Sequence, residues 1–192
     1  MKRLAVLGAG SWGTALAIAL EPRFEEVHLW AFDRELPEQI AATRENPIYL
    51  PGFRIPERVI ATASLGEAIE AAECVLLVIP SQHLRRVVRQ SAEFLDRQQI
   101  LVSATKGIEG GSLKRMSELL HEETQCPVAV LSGPTFAREV AAGEPAAVVL
   151  ASDNRDVAVS IQAAFSGPCF RLYTNSDVIG VEIGGSLKNV VA

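Results

Sequence analysis

The stretch RLAVLGAGSWGTALAIAL, residues 3–20, decides the fold. Its residues 4–7 are an unbroken apolar run, which is typical of a strand buried on both faces of a parallel sheet. Three glycines follow in the pattern G-x-G-x-x-G, at Gly8, Gly10 and Gly13. The remainder of the stretch is mostly apolar and predicts a helix. Strand, glycine turn and helix in this order predict the first unit of a dinucleotide-binding sheet.

Each glycine of this turn has its own physical role. Gly8 permits a tight turn off the strand, and Gly10 lets the backbone approach a pyrophosphate. Gly13 allows the helix to pack close to the sheet. The helix N-terminus adds free N–H groups and a partial positive charge, both of which favour phosphate binding. The turn therefore predicts a site for NAD or NADP.

A second strand is predicted over residues 26–31, and Asp33 follows it. An acidic residue at this point commonly hydrogen-bonds the adenosine ribose diol and disfavours a 2′-phosphate. Arg34 acts in the opposite sense, because its cation can pair with such a phosphate. We expect weak discrimination between NAD and NADP, although both residues also fit a solvated surface loop.

The N-terminal stretch has one alternative interpretation. Lys2 and Arg3, followed by a long uncharged run, resemble the start of a secretory signal peptide. Glycines at fixed spacing, a tryptophan within the run and a continuing pattern of strands and helices argue against it. We therefore expect a cytoplasmic protein.

The composition is that of a globular chain, with 48% hydrophobic and 21% charged residues among 192. This length suits one domain, or one domain and part of another. A formal net charge of −5 gives no sign of a nucleic-acid partner or of binding to a membrane surface. The longest apolar stretch contains the glycine turn, so we expect no membrane insertion.

The cysteines and histidines predict no metal site. Three cysteines lie far apart and outside any C-x-x-C motif: Cys74, Cys126 and Cys169. We expect buried free thiols in a reducing compartment. The histidines are equally scattered and lack the spacing of metal ligands: His28, His83 and His121.

The rest of the chain alternates strands with helices, which predicts an α/β fold with a doubly wound, mostly parallel sheet. Strands are predicted over residues 59–63, 74–79, 100–103, 128–131, 146–151 and 170–173. Helices are predicted over residues 34–44, 64–72, 82–95, 112–124, 136–142 and 153–165, and an ordered loop over residues 46–56. Three basic residues are expected on the solvent side of one helix: Arg85, Arg86 and Arg89.

Loops at the carboxyl ends of parallel strands collect ligands in such sheets. Lys106 follows one predicted strand in a glycine-rich segment, where its cation can meet a phosphate or a substrate oxygen. An ordinary surface lysine is the alternative. Residues 132–135, SGPT, form a tight turn whose N–H groups and Thr135 hydroxyl point to the same edge of the sheet.

Residues 177–192 predict an apolar helix that contains three glycines. A glycine inside a helix costs about 1 kcal/mol relative to alanine, so these glycines indicate close packing against another element or a ligand. Lys188 and Asn189 are the polar exceptions, and no helix-stop signal follows them. We expect a cofactor domain over residues 1–175 and, over residues 176–192, the first helical segment of a truncated second domain.

Five segments together resemble the bacterial type of NAD(P)-dependent glycerol-3-phosphate dehydrogenase, in the order found in that family. They are GAGSWGTA from Gly8, VIPS from Val78, ATKG from Ala104, SGPTFA from Ser132 and GVEIGGSLKNV from Gly180. The resemblance implies a Rossmann-like cofactor domain followed by an all-helical domain that completes the active site. It implies reversible hydride transfer between NAD(P) and sn-glycerol 3-phosphate, yielding dihydroxyacetone phosphate, in a reaction that feeds phospholipid synthesis.

The resemblance also implies roles for single residues. It implies cofactor contacts at Ser11, Trp12, Tyr49, Lys106 and Ala137, and substrate contacts at Lys106, Gly133, Thr135 and Lys188. Lys188 is implied as the acceptor of the hydroxyl proton. A lysine must be deprotonated for this role, and burial together with a second cation such as Lys106 lowers its pKa. For the full-length protein we also expect a homodimer.

The chain departs from the family pattern in two ways. Phe32 stands where many members carry a basic residue, which leaves the cofactor preference open. The helical domain is missing, so we expect this chain to bind cofactor without turnover. A related reductase of β-hydroxyacid or ketopantoate type is an alternative, although it does not explain residues 132–137. A dinucleotide-binding module without catalysis is another.

Overall fold

The computed structural model describes the backbone of residues 1–191 and the side chains of residues 1–187. Its strands are β1 Arg3–Leu7, β2 Glu26–Trp30, β3 Val59–Thr62, β4 Cys74–Leu77, β5 Ile100–Ser103, β6 Val128–Ser132, β7 Ala146–Ala151 and β8 Phe170–Asn175. Its helices are α1 Ser11–Leu20, α2 Leu36–Thr43, α3 Leu65–Ile69, α4 Ser81–Ser91, α5 Met116–Glu123, α6 Ala137–Ala141, α7 Arg155–Phe165 and α8 Val178–Val191, with a short 3-10 turn at Glu21–Arg23.

The strands form one sheet in the order β3-β2-β1-β4-β5-β6-β7-β8. Strands β1 to β6 are parallel, whereas β7 runs antiparallel to β6 and β8 runs parallel to β7. The first six strands have the doubly wound Rossmann order, in which the direction of winding reverses between β1 and β4. The predicted fold class is confirmed.

Strand β1 lies inside the sheet, and its side chains alternate between two apolar layers. Leu4 and Val6 belong to the layer covered by α1 and α7, and Ala5 and Leu7 to the layer covered by α4 and α5. All four side chains are fully buried. Burial on both faces explains the unbroken apolar run. It also contradicts the signal-peptide alternative, because removal of residues 3–20 would remove a central strand.

The helix predicted over residues 112–124 begins only at Met116, which corrects that prediction. Leu113 has a positive φ of 58°, a left-handed conformation that cannot continue into a right-handed helix. An isolated bridge between Ile108 and Arg115 closes the preceding residues into a loop. The other predicted elements are present, with shorter helices at α3 and α4 and an earlier end of β4.

Arg85 of α4 forms salt bridges both with this loop, at Glu109, and with α5, at Glu123. The Arg85 guanidinium donates two hydrogen bonds of 2.8 Å to the Glu109 carboxylate, and it also pairs with Glu123. Arg89 donates to Glu123 at 2.8 Å. The Arg85 side chain is only 21% exposed, so its expected place on the solvent side is wrong, whereas Arg86 and Arg89 are exposed. Hydrogen bonding to Arg85 lowers the pKa of Glu109 to about 2.

The thiols are free and differ in exposure. Cys74 and Cys126 are buried as expected, but Cys169 is exposed, which corrects the expectation for that residue. Burial raises the pKa of the Cys74 thiol. Within residues 1–187 no cluster of His, Cys, Asp and Glu side chains could hold a metal ion. In the part of the chain that the structure describes, no helix combines the length and apolar character needed to cross a membrane.

The salt bridge between Arg85 and Glu109 makes stability depend on pH. We expect Glu109→Gln to lower the free energy of unfolding at pH 7, because Arg85 loses a bidentate ionic partner. The folded-state pKa of Glu109, about 2, lies below its ordinary value of 4.5. The stabilisation is therefore fully present above pH 4.5 and is lost as the pH falls through 2.

Urea unfolding of the parent and of Glu109→Gln across this pH range measures the effect. The difference between the two proteins should shrink as the pH falls from 4.5 to 2. Glu144 is exposed and forms no ion pair among the described residues, so Glu144→Gln is a matched control that should follow the parent. A difference for Glu109→Gln that stays constant over the range would contradict the assignment.

Candidate functional site

A cleft of about 680 Å³ opens between the carboxyl ends of β1 and β4. Open α/β sheets bind ligands at this point, where the strand order reverses. Predicted site residues that line it are Gly8, Gly10, Ser11, Trp12, Gly13, Asp33, Tyr49, Lys106, Thr135 and Ala137. The structure thus brings together residues that are far apart in the sequence.

The three glycines of the turn meet different surroundings. Gly8 has a φ of 123°, and a side chain there would overlap the carbonyl oxygen of Val78. A side chain at Gly13 would overlap the carbonyl oxygen of Gly8. Among the described residues, nothing lies within 4 Å of the position that a Cβ of Gly10 would take. The fold therefore requires Gly8 and Gly13, whereas Gly10 faces open space.

Helix α1 begins directly after Gly10, which occupies the N-cap position and has no side chain to cap the helix. The N–H groups of the first turn and the positive end of the helix dipole can therefore be capped by an anion. Open space at Gly10, beside this helix end, suits the pyrophosphate of a dinucleotide. The residues present thus fit NAD or NADP.

Lys106 places a cation at the same edge of the sheet. Its Nζ lies 5.7 Å from the centroid of the Trp12 ring, within the range of a cation–π contact. Because Trp12 belongs to the first turn of α1, this contact holds Lys106 beside the glycine turn. Lys106 also lines the cleft, as a partly buried residue. The predicted contacts of Lys106 with cofactor and substrate stay predictions.

Asn46 joins the glycine turn to the loop that carries Tyr49, and sequence reasoning missed it. Its fully buried amide donates to the Ala9 carbonyl and to Thr14 Oγ1, both at 2.9 Å. Its Oδ1 accepts the N–H of Tyr49 at 3.0 Å. An asparagine that starts an ordered loop commonly bonds to nearby backbone groups, which is the only local signal of this role.

The residues after β2 divide into two groups. Phe32 and Asp33 line the cleft, and Oδ1 of Asp33 accepts the N–H of Glu35 at 2.9 Å, which fixes the carboxylate in an Asx turn. Arg34 is not among the residues that line the cleft. Arg34 is exposed directly beside Asp33, and its predicted pairing with a 2′-phosphate stays a prediction. A different arginine, Arg86 of α4, lines the cleft.

Gly133 lines a different cleft from Thr135, although its carbonyl oxygen accepts the N–H of Thr135 at 3.0 Å. It lines a second cleft of about 660 Å³ between the end of β6 and α8, while Thr135 lines the first. A Cβ at Gly133 would come within 3.0 Å of the Ala147 carbonyl oxygen, so packing alone explains the glycine. Its predicted contact with substrate stays a prediction.

A buried carboxylate anchors α8 on the cofactor domain. The Glu182 side chain is 7% exposed and accepts hydrogen bonds from Arg115 Nη1 at 2.6 Å and from Ser117 N at 2.8 Å. Charge-assisted hydrogen bonds of this kind hold the Glu182 side chain, and with it α8, in place. The motif that begins at Gly180 contains Glu182 but gave it no role, because its partners, Arg115 and Ser117, are distant in the chain.

Close packing explains one of the glycines in α8. A side chain at Gly185 would overlap Ser132 Oγ, as the sequence analysis expected of a helical glycine. One residue further, Ser186 Oγ accepts the N–H of Gly107 at 3.2 Å. Gly107 follows Lys106, so α8 passes beside the Lys106 loop. The side chains of Lys188 and Asn189 lie outside the described residues, and the predicted role of Lys188 stays a prediction.

The family model, the relatives and the solved structure compared with this chain are all glycerol-3-phosphate dehydrogenases. A family model described as NAD-dependent glycerol-3-phosphate dehydrogenase N-terminus matches residues 3–158. The glycerol-3-phosphate dehydrogenases (NAD(P)+) of Koribacter versatilis and Citrifermentans bemidjiense are 48% and 47% identical to this chain. Both alignments cover 100% of this chain and 58% of the relative. The crystal structure of glycerol-3-phosphate dehydrogenase from Coxiella burnetii matches with a TM-score of 0.93 and 37% identity, over 99% of this chain and 58% of that one.

The open space at Gly10 gives a direct test of the glycine turn. We expect Gly10→Val to abolish binding of NADH with little change in thermal midpoint, since the new side chain fills only the place of the pyrophosphate. Gly13→Val is the comparison variant and should lower the midpoint, because its side chain overlaps the Gly8 carbonyl oxygen. Calorimetric titration and thermal unfolding measure the two effects. Undiminished NADH binding by Gly10→Val would show that the turn is not the cofactor site.

Proposed function

Since this chain belongs to the NAD-dependent glycerol-3-phosphate dehydrogenase family, we propose that it is the cofactor-binding part of such an enzyme. The proposed reaction is reversible hydride transfer between NAD(P) and sn-glycerol 3-phosphate, giving dihydroxyacetone phosphate for phospholipid synthesis. The chain spans 58% of the length of the relatives compared, so activity and substrate are proposed for the whole protein. The observation that carries the proposal is the cleft in which Gly10, the start of α1 and Lys106 meet.

The cofactor, when bound, exchanges a hydride with the carbinol carbon of the substrate. This chain's part is to hold both molecules. The N–H groups at the start of α1 and the open face of Gly10 bind the pyrophosphate, and Asp33 binds the adenosine ribose. Ser11, Trp12, Tyr49 and Ala137 complete the proposed cofactor contacts. Asn46 fixes the position of the loop that carries Tyr49 relative to the glycine turn, through its two hydrogen bonds of 2.9 Å to Ala9 and Thr14.

We propose that Lys188 accepts the proton of the substrate hydroxyl at its Nζ. A neighbouring cation disfavours the protonated form of a lysine, so Lys106 would lower the pKa of Lys188. The hydrogen bond between Gly107 and Ser186 supports this pairing, because it joins the loop of one lysine to the helix of the other. Lys106, Gly133 and Thr135 are the proposed substrate contacts.

Helix α8 supports the proposed division into domains. Ile179, Ile183 and Leu187 recur at intervals of four residues and are 57%, 40% and 50% exposed. An apolar stripe of this kind on a helix is normally covered by another element. We propose residues 1–175 as the cofactor domain and residues 176–192 as the start of a helical domain of the whole protein. For the whole protein we also propose a cytoplasmic location and a homodimer.

The names of the relatives do not favour the alternative of a β-hydroxyacid or ketopantoate-type reductase. Those that align with the whole of this chain at 47–48% identity are glycerol-3-phosphate dehydrogenases. A dinucleotide-binding module without catalysis is distinguished from the proposed enzyme by activity of the whole protein.

Steady-state kinetics on a protein that continues to the length of these relatives tests the proposal. We expect Lys188→Ala to lower kcat by about 10²–10⁴-fold, the usual contribution of a general base, with NADH affinity retained. Lys106→Ala should lower kcat and also raise KM for dihydroxyacetone phosphate. Lys114→Ala, which removes an exposed lysine paired with Glu122, is the matched control and should match the parent.

The same assay applied to residues 1–192 alone tests the division into domains. We expect NADH binding without turnover, because the catalytic lysine lacks the domain proposed to enclose it. Substantial turnover by this chain would contradict the division. A Lys188→Ala protein with near-parental kcat would show that another group accepts the proton.

A further inference from the structure

We propose that Arg86 discriminates between NADP and NAD by pairing with the 2′-phosphate of the adenosine ribose. The inference rests on the proposed cofactor site and assigns to α4 a role that the sequence pattern placed at Arg34. Its basis is the position of Arg86 in the cleft, the contacts of its guanidinium and the distribution of charge on α4.

Arg86 lies against the residues that follow β2. Its Cζ is 5.3 Å from the centroid of the Phe32 ring, and Phe32 in turn contacts Trp30 edge to face at 6.3 Å. All three residues line the cleft. Because Asp33 directly follows Phe32, the contact holds the guanidinium near the place where the ribose is bound in such sheets.

The charge of Arg86 is available for a ligand, unlike those of its neighbours on α4. Arg85 and Arg89 are both paired with Glu123, and Arg85 also with Glu109. Within residues 1–187, Arg86 forms no ion pair, and the residue is exposed. A cation–π contact of this kind positions a cation without neutralising it.

Two opposite charges therefore act on the adenosine ribose. The Asp33 carboxylate, fixed by the N–H of Glu35, favours the free diol and repels a 2′-phosphate. The planar fork of Arg86 matches phosphate and can form two charge-assisted hydrogen bonds with it. The opposition would let the site accept both cofactors without a basic residue at position 32. Arg34 is not among the residues that line the cleft.

Binding of NADPH and NADH to the 192-residue chain, followed by fluorescence titration, tests the inference without reliance on turnover. We expect Arg86→Ala to weaken NADPH about tenfold or more, as loss of a charged hydrogen-bond partner predicts, with NADH affected less than twofold. Arg86→Lys should lie between the parent and Arg86→Ala, since lysine keeps the charge but not the fork. Arg34→Ala, the matched control, should change neither affinity more than twofold.

Titrations with adenosine 2′,5′-bisphosphate and 5′-AMP, which differ only in the 2′-phosphate, separate the effect of this phosphate from that of the adenine. Arg86→Ala should weaken the first and leave the second unchanged. The affinity of the parent for NADPH should also fall with salt more steeply than that of Arg86→Ala. Retained NADH binding by Arg86→Ala shows that the variant is folded.

Three results would overturn the inference. One is an unchanged affinity for both NADPH and NADH in Arg86→Ala, and another is an equal loss of both, which would mean that Arg86 packs on the adenine. A selective loss of NADPH in Arg34→Ala would return the role to that residue. In all three cases the parent still binds NADH, and the proposed function stands. A parent chain that binds neither dinucleotide overturns the proposed function together with the inference.

Discussion

The close approach of α1 to the glycine turn is the constraint on which the site depends, and two absent side chains make it possible. Gly8 turns with a φ of 123° under the carbonyl of Val78, and Gly13 lies against the carbonyl of Gly8 itself. A methyl group at either place would push the helix away from β1 and β4. With the helix close, its N-terminus lies at the reversal of strand order, and the open face of Gly10 becomes accessible to a phosphate.

The polar groups of the site are positioned from this turn outward. The Asn46 amide donates to the carbonyl of Ala9, inside the turn, and its Oδ1 accepts the N–H of Tyr49. The position of the Tyr49 backbone is thereby fixed relative to the turn. Lys106 rests on Trp12 in the first turn of α1. Side chains that are held by buried hydrogen bonds or ring contacts keep their geometry before a ligand arrives. The same interactions that fix the fold at the turn therefore arrange the site.

The sequence predicted the elements that depend on local residue patterns. It missed the features that depend on contacts between residues distant in the chain. The run 4–7 and the glycine spacing are local, and both gave the observed elements. The sequence S-x-x-E at residues 64–67 is typical of a capping box, and Ser64 does cap α3 by accepting the N–H of Glu67. The Glu67 carboxylate, however, accepts a hydrogen bond from Thr62 instead of closing the box. The left-handed Leu113 depends on a loop closed by tertiary contacts. The site residues came mostly from motifs, whereas partners brought together by the fold gave no signal.

Helix α4 shows why residue type and spacing could not assign these partners. Arg85 and Arg89 are four residues apart, so they lie on one helix face and share Glu123. Arg86 is turned by about 100° from Arg85, which carries it to the Phe32 side of the helix. The helical period places Arg86 on a different face of α4 from Arg85 and Arg89. Which of these faces packs on α5 and which lines the cleft depends on the order of the strands in the sheet, which the sequence of α4 does not contain. Arginines on one face thus bind Glu109 and Glu123. The arginine on the other face lines the cleft and forms no ion pair among the described residues.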